Sequence, residues 1–344
     1  MSSSCYGEID CVPAGWMDRT PIGCRMSMPG DPRVSVVLPV WNGERFFAQA
    51  IQSILDQTFE SFELLIVDDG STDRTSSIVR RFVAADSRIR SVRITHSGIA
   101  HALNTGFQQA RAPYIARMDA DDIALPSRLQ KQVAYLDSHP RCVVVGSDAE
   151  VIDEEEESLG VMSFPSTHAR LLHTLLSGVG CPFVHPAVMV HRDSIHAVGG
   201  YRPECFPSED FELWLRLIGS GEFASIPERL LRYRLHRDSI CAREMQRQVI
   251  SARAELNSTR QRIGWRAFRP QANVRQQSAL AVYHNKCGRI ALKSGRRALA
   301  SRHAFKGISS APLWLQPYRV LAACALPTRA ISPLVKCAAW LRTI

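Results

Sequence analysis

Two acidic clusters constrain this chain more than any other feature: Asp68-Asp69-Gly70-Ser71-Thr72-Asp73 and Met118-Asp119-Ala120-Asp121-Asp122. Each closes a short apolar run, Leu64 to Val67 and Tyr114 to Met118. A run of that kind, bounded by turn residues, reads as a strand buried on both faces. Carboxylates at the carboxyl ends of parallel strands gather in one crevice, where open α/β sheets bind ligands. Acids placed there suit a metal ion and the polar groups of a nucleotide better than they suit a core.

The flanking pattern extends this reading. Residues 1–32 are rich in Ser, Gly, Pro and Met without periodicity and read as a disordered lead-in, with Met26 or Met28 as a candidate start. From Arg33 the sequence predicts strands at Val34–Leu38, Phe62–Val67, Ile89–Ile94 and Tyr114–Met118. Between them it predicts helices carrying Phe47, Ile51, Ile54 and Leu55, then 71 to about 83, then Gly98–Ala110. Strands alternating with helices imply a parallel sheet with right-handed crossovers. Further on, the pattern predicts helices at Pro126–Ser138 and Ser208–Ile218 and strands at Val143–Gly146 and Val184–Val190. The acidic stretch Val151–Leu159 reads as an exposed turn or hairpin tip. Beyond Cys241 the chain becomes basic and helical. A stripe of Leu280, Tyr283, Cys287 and Ile290 and a partner helix over Ala298–Phe305 flank Gly295, in the manner of a tetratricopeptide hairpin. Three segments follow: lead-in 1–32, catalytic unit 33–240, basic helical region 241–344.

Charge is divided along these lines. The net +9 combines −8 over residues 1–240 with +17 over residues 241–344, where 19 Lys/Arg meet 2 Asp/Glu. Different partners are expected for the two parts. The ten cysteines have no C-x-x-C or zinc spacing, which points to reduced thiols. No run approaches the ~20 apolar residues of a spanning helix. The glycine-rich phosphate motifs and the G-x-S-x-G elbow are missing, which argues against dinucleotide oxidoreductases, P-loop NTPases and α/β-hydrolases.

Each candidate residue has a plain and a chemical reading. Asp119 and Asp121, two apart at a strand end, face the same side and can hold Mg²⁺ or Mn²⁺ while leaving room for diphosphate oxygens. Alone, they would be a solvated turn with Asp122 as a helix cap. Asp68 and Asp69 suit a nucleobase or ribose, or an Asx-turn feeding the next helix. Glu209 and Asp210 open a helix, where acids suit the macrodipole; over a crevice, one could be a general base. His236 could be a third metal ligand or a diphosphate contact. His185-Pro186 reads as a packed loop element.

Taken together, the motifs resemble the family 2 glycosyltransferases of GT-A fold. The carrying residues are Val34-Ser35-Val36-Val37-Leu38-Pro39-Val40-Trp41-Asn42, Ser53-Ile54-Leu55-Asp56-Gln57-Thr58, the two acidic clusters with Arg117, Gly199-Gly200-Tyr201 and Ser208-Glu209-Asp210. Any one is weak; their order over residues 33 to 240 is specific. The resemblance implies a Rossmann-like, mixed, mostly parallel sheet flanked by helices, with the basic helical region as an extension. It implies that Pro39, Val40, Asn42, Asp69 and Asp119 hold the nucleotide. Asp121 would bind the metal, with Asp119 and His236 contributing to that site. Asp210 would be the base, with Glu209 and Trp214 on the acceptor side.

The activity so implied is inverting transfer of a sugar from a nucleotide-sugar, UDP-linked by expectation, to a hydroxyl acceptor in cell-surface glycan synthesis, assisted by Mn²⁺ or Mg²⁺. Two rivals are a sugar-phosphate nucleotidyltransferase and a non-catalytic basic adaptor for membrane or nucleic acid. The first would prefer a Gly-rich basic loop after the opening strand, which Val40-Trp41-Asn42-Gly43-Glu44-Arg45 matches poorly. The tail lacks an RNP-like aromatic pattern or a zinc module, so nucleic acid is not an expected partner. An anionic membrane surface is, which would place the enzyme on the cytoplasmic face beside a glycan or lipid-linked acceptor.

Overall fold

The computed structural model describes residues 31–178, 180–264, 278–313 and 315–325. The lead-in up to residue 30 lies outside them, as do Trp314, Trp340 and the apolar cluster Val335–Leu341. The first half alternates as the sequence requires: β1 (Val34–Val40), α1 (Phe47–Leu55), β2 (Phe62–Asp68), α2 (Thr75–Ala85), β3 (Ile89–Arg93), α3 (Ile99–Gln109) and β4 (Tyr114–Arg117). These strands pair in parallel in the order β3-β2-β1-β4. All seven residues of β1 and of β2 are buried, because helices cover both faces. Gly106 on α3 permits that packing: a Cβ there would lie 2.4 Å from Val37 Cγ1 on β1. The strand order reverses between β1 and β4, and such a switch point opens a crevice at the strands' carboxyl ends.

The second half continues with β5 (Ile123–Ala124), α4 (Arg128–Ser138), β6 (Cys142–Ile152), β7 (Ser158–Met162), α5 (His168–Leu176), β8 (Met189–His191), α6 (Arg192–Ala197), α7 (Glu209–Leu217) and β9 (Glu222–Arg234). β8 joins β4 to β6, antiparallel to both. β6 then pairs in parallel with β9, and β5 and β7 attach antiparallel at β9 and β6. The result is a nine-stranded mixed sheet with two apolar cores, one on each face.

Two expectations need correction, and one strand was not expected at all. The strand read at Val184–Val190 is a single 3-10 turn at His185–Ala187 before the short β8; Pro186 has no N–H for a ladder. The strand read at Val143–Gly146 extends over eleven residues as β6. β9, thirteen residues long, went unread because Pro227 and exposed charges interrupt its apolar pattern.

The basic region forms α8 (Ile240–Arg243), α9 (Met245–Arg262), α10 (Ala279–Lys293), α11 (Arg297–Ser310) and α12 (Leu315–Ala325). Its parts attach differently. α9 belongs to the catalytic body: Leu256 enters the core around α7, and Ser251 Oγ pairs with Ser208 Oγ at 2.7 Å. α10, α11 and α12 form a small third core with Val151 and Leu159. Ser278 caps α10 by accepting from the Ala281 N–H at 3.2 Å.

Candidate active site

The carboxyl ends of β1 and β2 build one wall of the crevice. The Asp69 N–H donates to the Val40 carbonyl at 2.8 Å, which ties the two strand ends together. Asp68 takes the turn-forming role: it accepts from the Ser71 N–H (2.8 Å) and the Ser76 hydroxyl (2.8 Å). Asp69 instead faces the segment before α3, accepting from the N–H groups of Ser97 (2.8 Å) and Gly98 (2.9 Å). His96 Nδ1 lies 2.9 Å from the same carboxylate, and its ring stacks on the half-exposed Trp41 at 4.4 Å. Gly70 lets this happen: its φ is +72°, and a Cβ would meet the His96 nitrogen at 2.8 Å. Asn42, also left-handed at φ +50°, braces the wall by accepting from the Thr72 N–H at 2.8 Å. Pro39 and Val40 contribute backbone within β1.

The opposite wall follows β4. The side-chain oxygens of Asp119, Asp121 and Asp122 lie within 4.8 Å of one another. His236, just beyond β9, brings Nε2 to 2.8 Å from Asp121 Oδ2. Asp119 pairs with the buried guanidinium of Arg117. Asp122 is neither solvated nor a helix cap. It is 1% exposed, accepts from the Arg234 N–H at 2.7 Å, and leaves its other oxygen without a partner. Burial drives the Asp119 carboxyl up to about 6, with Asp121 repelling and Arg117 opposing. Asp122 is raised well above its ordinary value by burial and by the charges of Asp121 and Asp119. Carboxylates held together at such cost in desolvation are a site short of positive charge. Oxygen donors with one imidazole, and an orphaned buried oxygen beside them, fit a hard divalent cation.

Helix α7 aims Glu209 and Asp210 at the same space. Asp210 accepts from the Phe211 N–H at 2.7 Å. Burial raises its carboxyl, opposed by that N–H and by Arg117. Glu209 is raised from 4.5 to about 7 by burial and then by Asp210, and its Oε2 has no partner. The field of Asp210 also reaches Asp119, so the two acidic motifs share one crevice. Tyr201 closes the floor, its hydroxyl 2.5 Å from His185 Nε2. Trp214, expected on the acceptor side, is fully enclosed between Phe183 and His185 and offers no surface to a ligand. Phe211, Trp214, Leu215 and Ile218 form the packed stripe of α7.

Two arginines take part in the site without a role assigned to them from the sequence. Arg117 stands two residues before Asp119, and Arg234 two residues before His236. In extended chain that spacing puts both members of each pair on one side. The period-2 relation is legible in the sequence.

A parallel sheet with its switch point between an aromatic-lined nucleotide wall and an acidic D-x-D wall is the GT-A arrangement. Comparison with known proteins agrees. A family model described as glycosyl transferase family 2 matches residues 35–197. EpsE of Bacillus subtilis (strain 168) is 36% identical over 202 residues, which cover 56% of this chain and 69% of EpsE. The O-antigen biosynthesis glycosyltransferase WbnJ of Escherichia coli is 31% identical over 212 residues, 60% of this chain and 81% of WbnJ. Solved structures share the fold at low identity. The mannosyltransferase PcManGT of Pyrobaculum calidifontis, in complex with GDP-Man and Mn²⁺, superposes with TM-score 0.54 at 17% identity, covering 91% of this chain and 86% of that one. S. aureus TarS 1–349 gives 0.52 at 14%, covering 85% and 90%. The chain belongs to glycosyl transferase family 2, and the enzyme is a glycosyltransferase. Neither the nucleotidyltransferase nor the adaptor reading gains support.

Proposed function

We propose that the enzyme moves a sugar from a nucleotide-sugar, UDP-linked in the first instance, to a hydroxyl acceptor with inversion, in the synthesis of a cell-surface polysaccharide. The observation that carries this reading is the shared crevice: a divalent-cation site on one side and the buried Glu209–Asp210 pair on the other. Val40, Asn42 and Asp69 would bound the nucleoside, with Trp41 offering an aromatic face. Asp119 and Asp121, with His236, would hold the cation, which when bound supplies charge for a departing diphosphate. Asp210 would take the acceptor proton; a positioned base contributes typically 10²- to 10⁴-fold. Glu209, raised toward neutrality, would lie beside the acceptor hydroxyl. Relatives support the setting: WbnJ is named for O-antigen and AmsE of Erwinia amylovora for amylovoran biosynthesis. TarS has been solved with UDP, and PcManGT with GDP-Man.

The test is a panel of nucleotide-sugars, scored for Mn²⁺-dependent hydrolysis and for thermal stabilisation. A selective response to one UDP-sugar is expected. Silence across the panel, with and without metal, would remove the donor assignment.

We also propose residues 33–240, together with the packed helix α9, as the catalytic unit and an anionic membrane surface as partner of the remaining basic extension, on the cytoplasmic face and near a lipid-linked acceptor. Residues 278–325 hold eight Lys/Arg and no Asp/Glu. Phe305, Leu313, Leu315 and Tyr318 are exposed there. Among the described residues no helix is long and apolar enough to cross a membrane. Each basic residue near an anionic leaflet is worth about 1 kcal/mol. Flotation with anionic vesicles at low salt should lift the wild type, and reversing Lys293, Arg296 and Lys306 to Glu should leave it behind. Equal flotation of both would refute the surface.

A further inference from the structure

The acidic turn at residues 153–157, between β6 and β7, takes no part in the reaction proposed above. Four of its five carboxylates are nonetheless engaged. Glu154 holds Arg45 at 2.6 Å and accepts from the Arg237 N–H at 3.1 Å, and Glu157 pairs with Arg302 on α11. Asp153 accepts from the N–H groups of Glu155 and Glu157 and so closes the turn itself. Glu156 reaches in another direction. It accepts from Gln49 Nε2 at 2.7 Å, lies 3.4 Å from Arg234 Nη2, and sets its second oxygen 3.4 Å from Arg232 Nη1. It does so from a left-handed backbone, φ +65°, which L residues rarely adopt and glycine adopts freely.

Arg234 links this turn to the acidic motif. Its side chain is 1% exposed. The Nε donates to the carbonyl of Asp121 at 2.8 Å, while the backbone N–H of the same residue donates to Asp122 Oδ1 at 2.7 Å. Nη2 donates to Gln49 Oε1 at 2.7 Å, and the guanidinium lies over the Phe46 ring at 4.4 Å. One residue thus fixes both ends of the Asp121–Asp122 pair against β9, and two residues later the same chain supplies His236. A guanidinium so close to an under-compensated acidic cluster has an alternative: it can swing onto the carboxylates and act as their counter-ion. Glu156 and Gln49 hold it back at its far end.

We propose that Glu156 and Arg234 form a clamp that positions the Asp119–Asp122 turn for its divalent cation. Arg234 is the positioning residue, and Glu156 keeps its guanidinium off the metal-binding carboxylates. The clamp rests on the metal reading of the preceding subsection. Partners that orient metal ligands from outside the coordination shell typically cost 10- to 100-fold in metal affinity when removed.

Mn²⁺ alone, titrated into the full-length chain and followed by electron paramagnetic resonance, tests the clamp. Glu156→Gly removes the carboxylate, at a cost to the buried Arg234, and relieves the left-handed backbone, so the two effects oppose and the variant should melt close to the wild-type temperature. Its Mn²⁺ dissociation constant should nevertheless rise about tenfold. Glu156→Gln keeps an acceptor oxygen and should recover part of that loss. Arg234→Lys should shift in the same direction as Glu156→Gly, since it loses the Nε contact to Asp121. A folded Glu156→Gly protein that binds Mn²⁺ within twofold of wild type overturns the clamp. So does an affinity loss that appears only together with a lower melting temperature, which would make Glu156 a structural anchor. Wild-type protein with no affinity for Mn²⁺ removes the metal reading itself, a distinct result.

Discussion

Glu154 and Glu156, in the turn between β6 and β7, sit below the ordinary carboxylate range, whereas Asp119, Asp122, Glu209 and Asp210, in the crevice, sit above it. In the turn, burial of Glu154 is outweighed by the Arg237 N–H and the Arg45 guanidinium, and Glu156 is lowered first by its hydrogen bond from Gln49 and then by Arg234. In the crevice, burial dominates and carboxylates repel one another, so that even the ion pair with Arg117 leaves Asp119 raised. Density of acid in the sequence is the same kind of signal in both places. Compensation tells them apart. A turn in which Glu154, Glu156 and Glu157 each find a cation is largely compensated, with Asp153 raised by its burial; a crevice whose acids stay frustrated is prepared for something that arrives from outside.

The largest break in that contrast comes from Asp210. Asp210→Asn preserves shape and most hydrogen bonding but cannot accept a proton. Donor binding should survive while transfer falls by about two orders of magnitude or more. Turnover within a few-fold of wild type would reduce Asp210 to a helix-end acid. Asp121→Ala should act on binding instead. It removes a ligand rather than a partner of a ligand, so nucleotide affinity in Mn²⁺ should drop by at least about tenfold. EDTA should then make no further difference. Calorimetry that finds the metal effect intact in the variant would cancel the assignment.

Glu209 supplies a sharper test through pH. Its folded value of about 7 lies above the ordinary 4.5, so the folded chain holds a proton that the unfolded chain has already released. A raised carboxyl costs the fold nothing below pH ~4, becomes a growing penalty between the ordinary 4.5 and the folded value of about 7, and levels off above that, where both states are ionised. Glu209→Gln should therefore gain melting temperature over wild type between pH 5 and 8, and show no such gain near pH 4. A difference that is flat across this range would mean that the carboxyl is solvated and unperturbed.

How much of this was legible follows from burial. Strands β1, β2 and β4 are enclosed on both faces, so they read as largely apolar runs, and the functional acids stand at the ends of β2 and β4. Positions 68, 69, 119 and 121 could be singled out for that reason, and positions 209 and 210 as acids that open a helix. β9 is half exposed, contains Pro227 and carries its buried arginine among surface ones, so neither the strand nor Arg234 stood out. Asp122 looked like a cap because the long-range N–H that it accepts comes from residue 234. The 153–157 turn was read as solvent-facing, since its partners Arg45, Gln49, Arg232, Arg234, Arg237 and Arg302 are distant in sequence. Trp214 shows the opposite error: the helical stripe with Phe211, Leu215 and Ile218 had already marked it as core.

The smallest expected effect sharpens the comparison from the compensated side. Arg45→Ala deletes the 2.6 Å pair with Glu154, whose side chain is only 8% exposed. A buried acid stripped of its sole partner would cost several kcal/mol. Glu154 is not in that position, because the Arg237 N–H at 3.1 Å still reaches the same carboxylate. The Arg45 side chain is itself half in solvent, where water and salt screen the pair and where ordering a long side chain offsets part of the attraction. The loss should be about 0–1 kcal/mol, shrinking further at high salt. Mn²⁺ affinity should stay within about twofold of wild type, since Glu154 does not touch Arg234 and no counter-ion is freed to compete for the crevice. Chemical denaturation at low and high salt, with Mn²⁺ titration of the same variant, measures both. A tenfold affinity loss in Arg45→Ala would mean that the whole turn, rather than Glu156 within it, sets the geometry of the metal-binding acids.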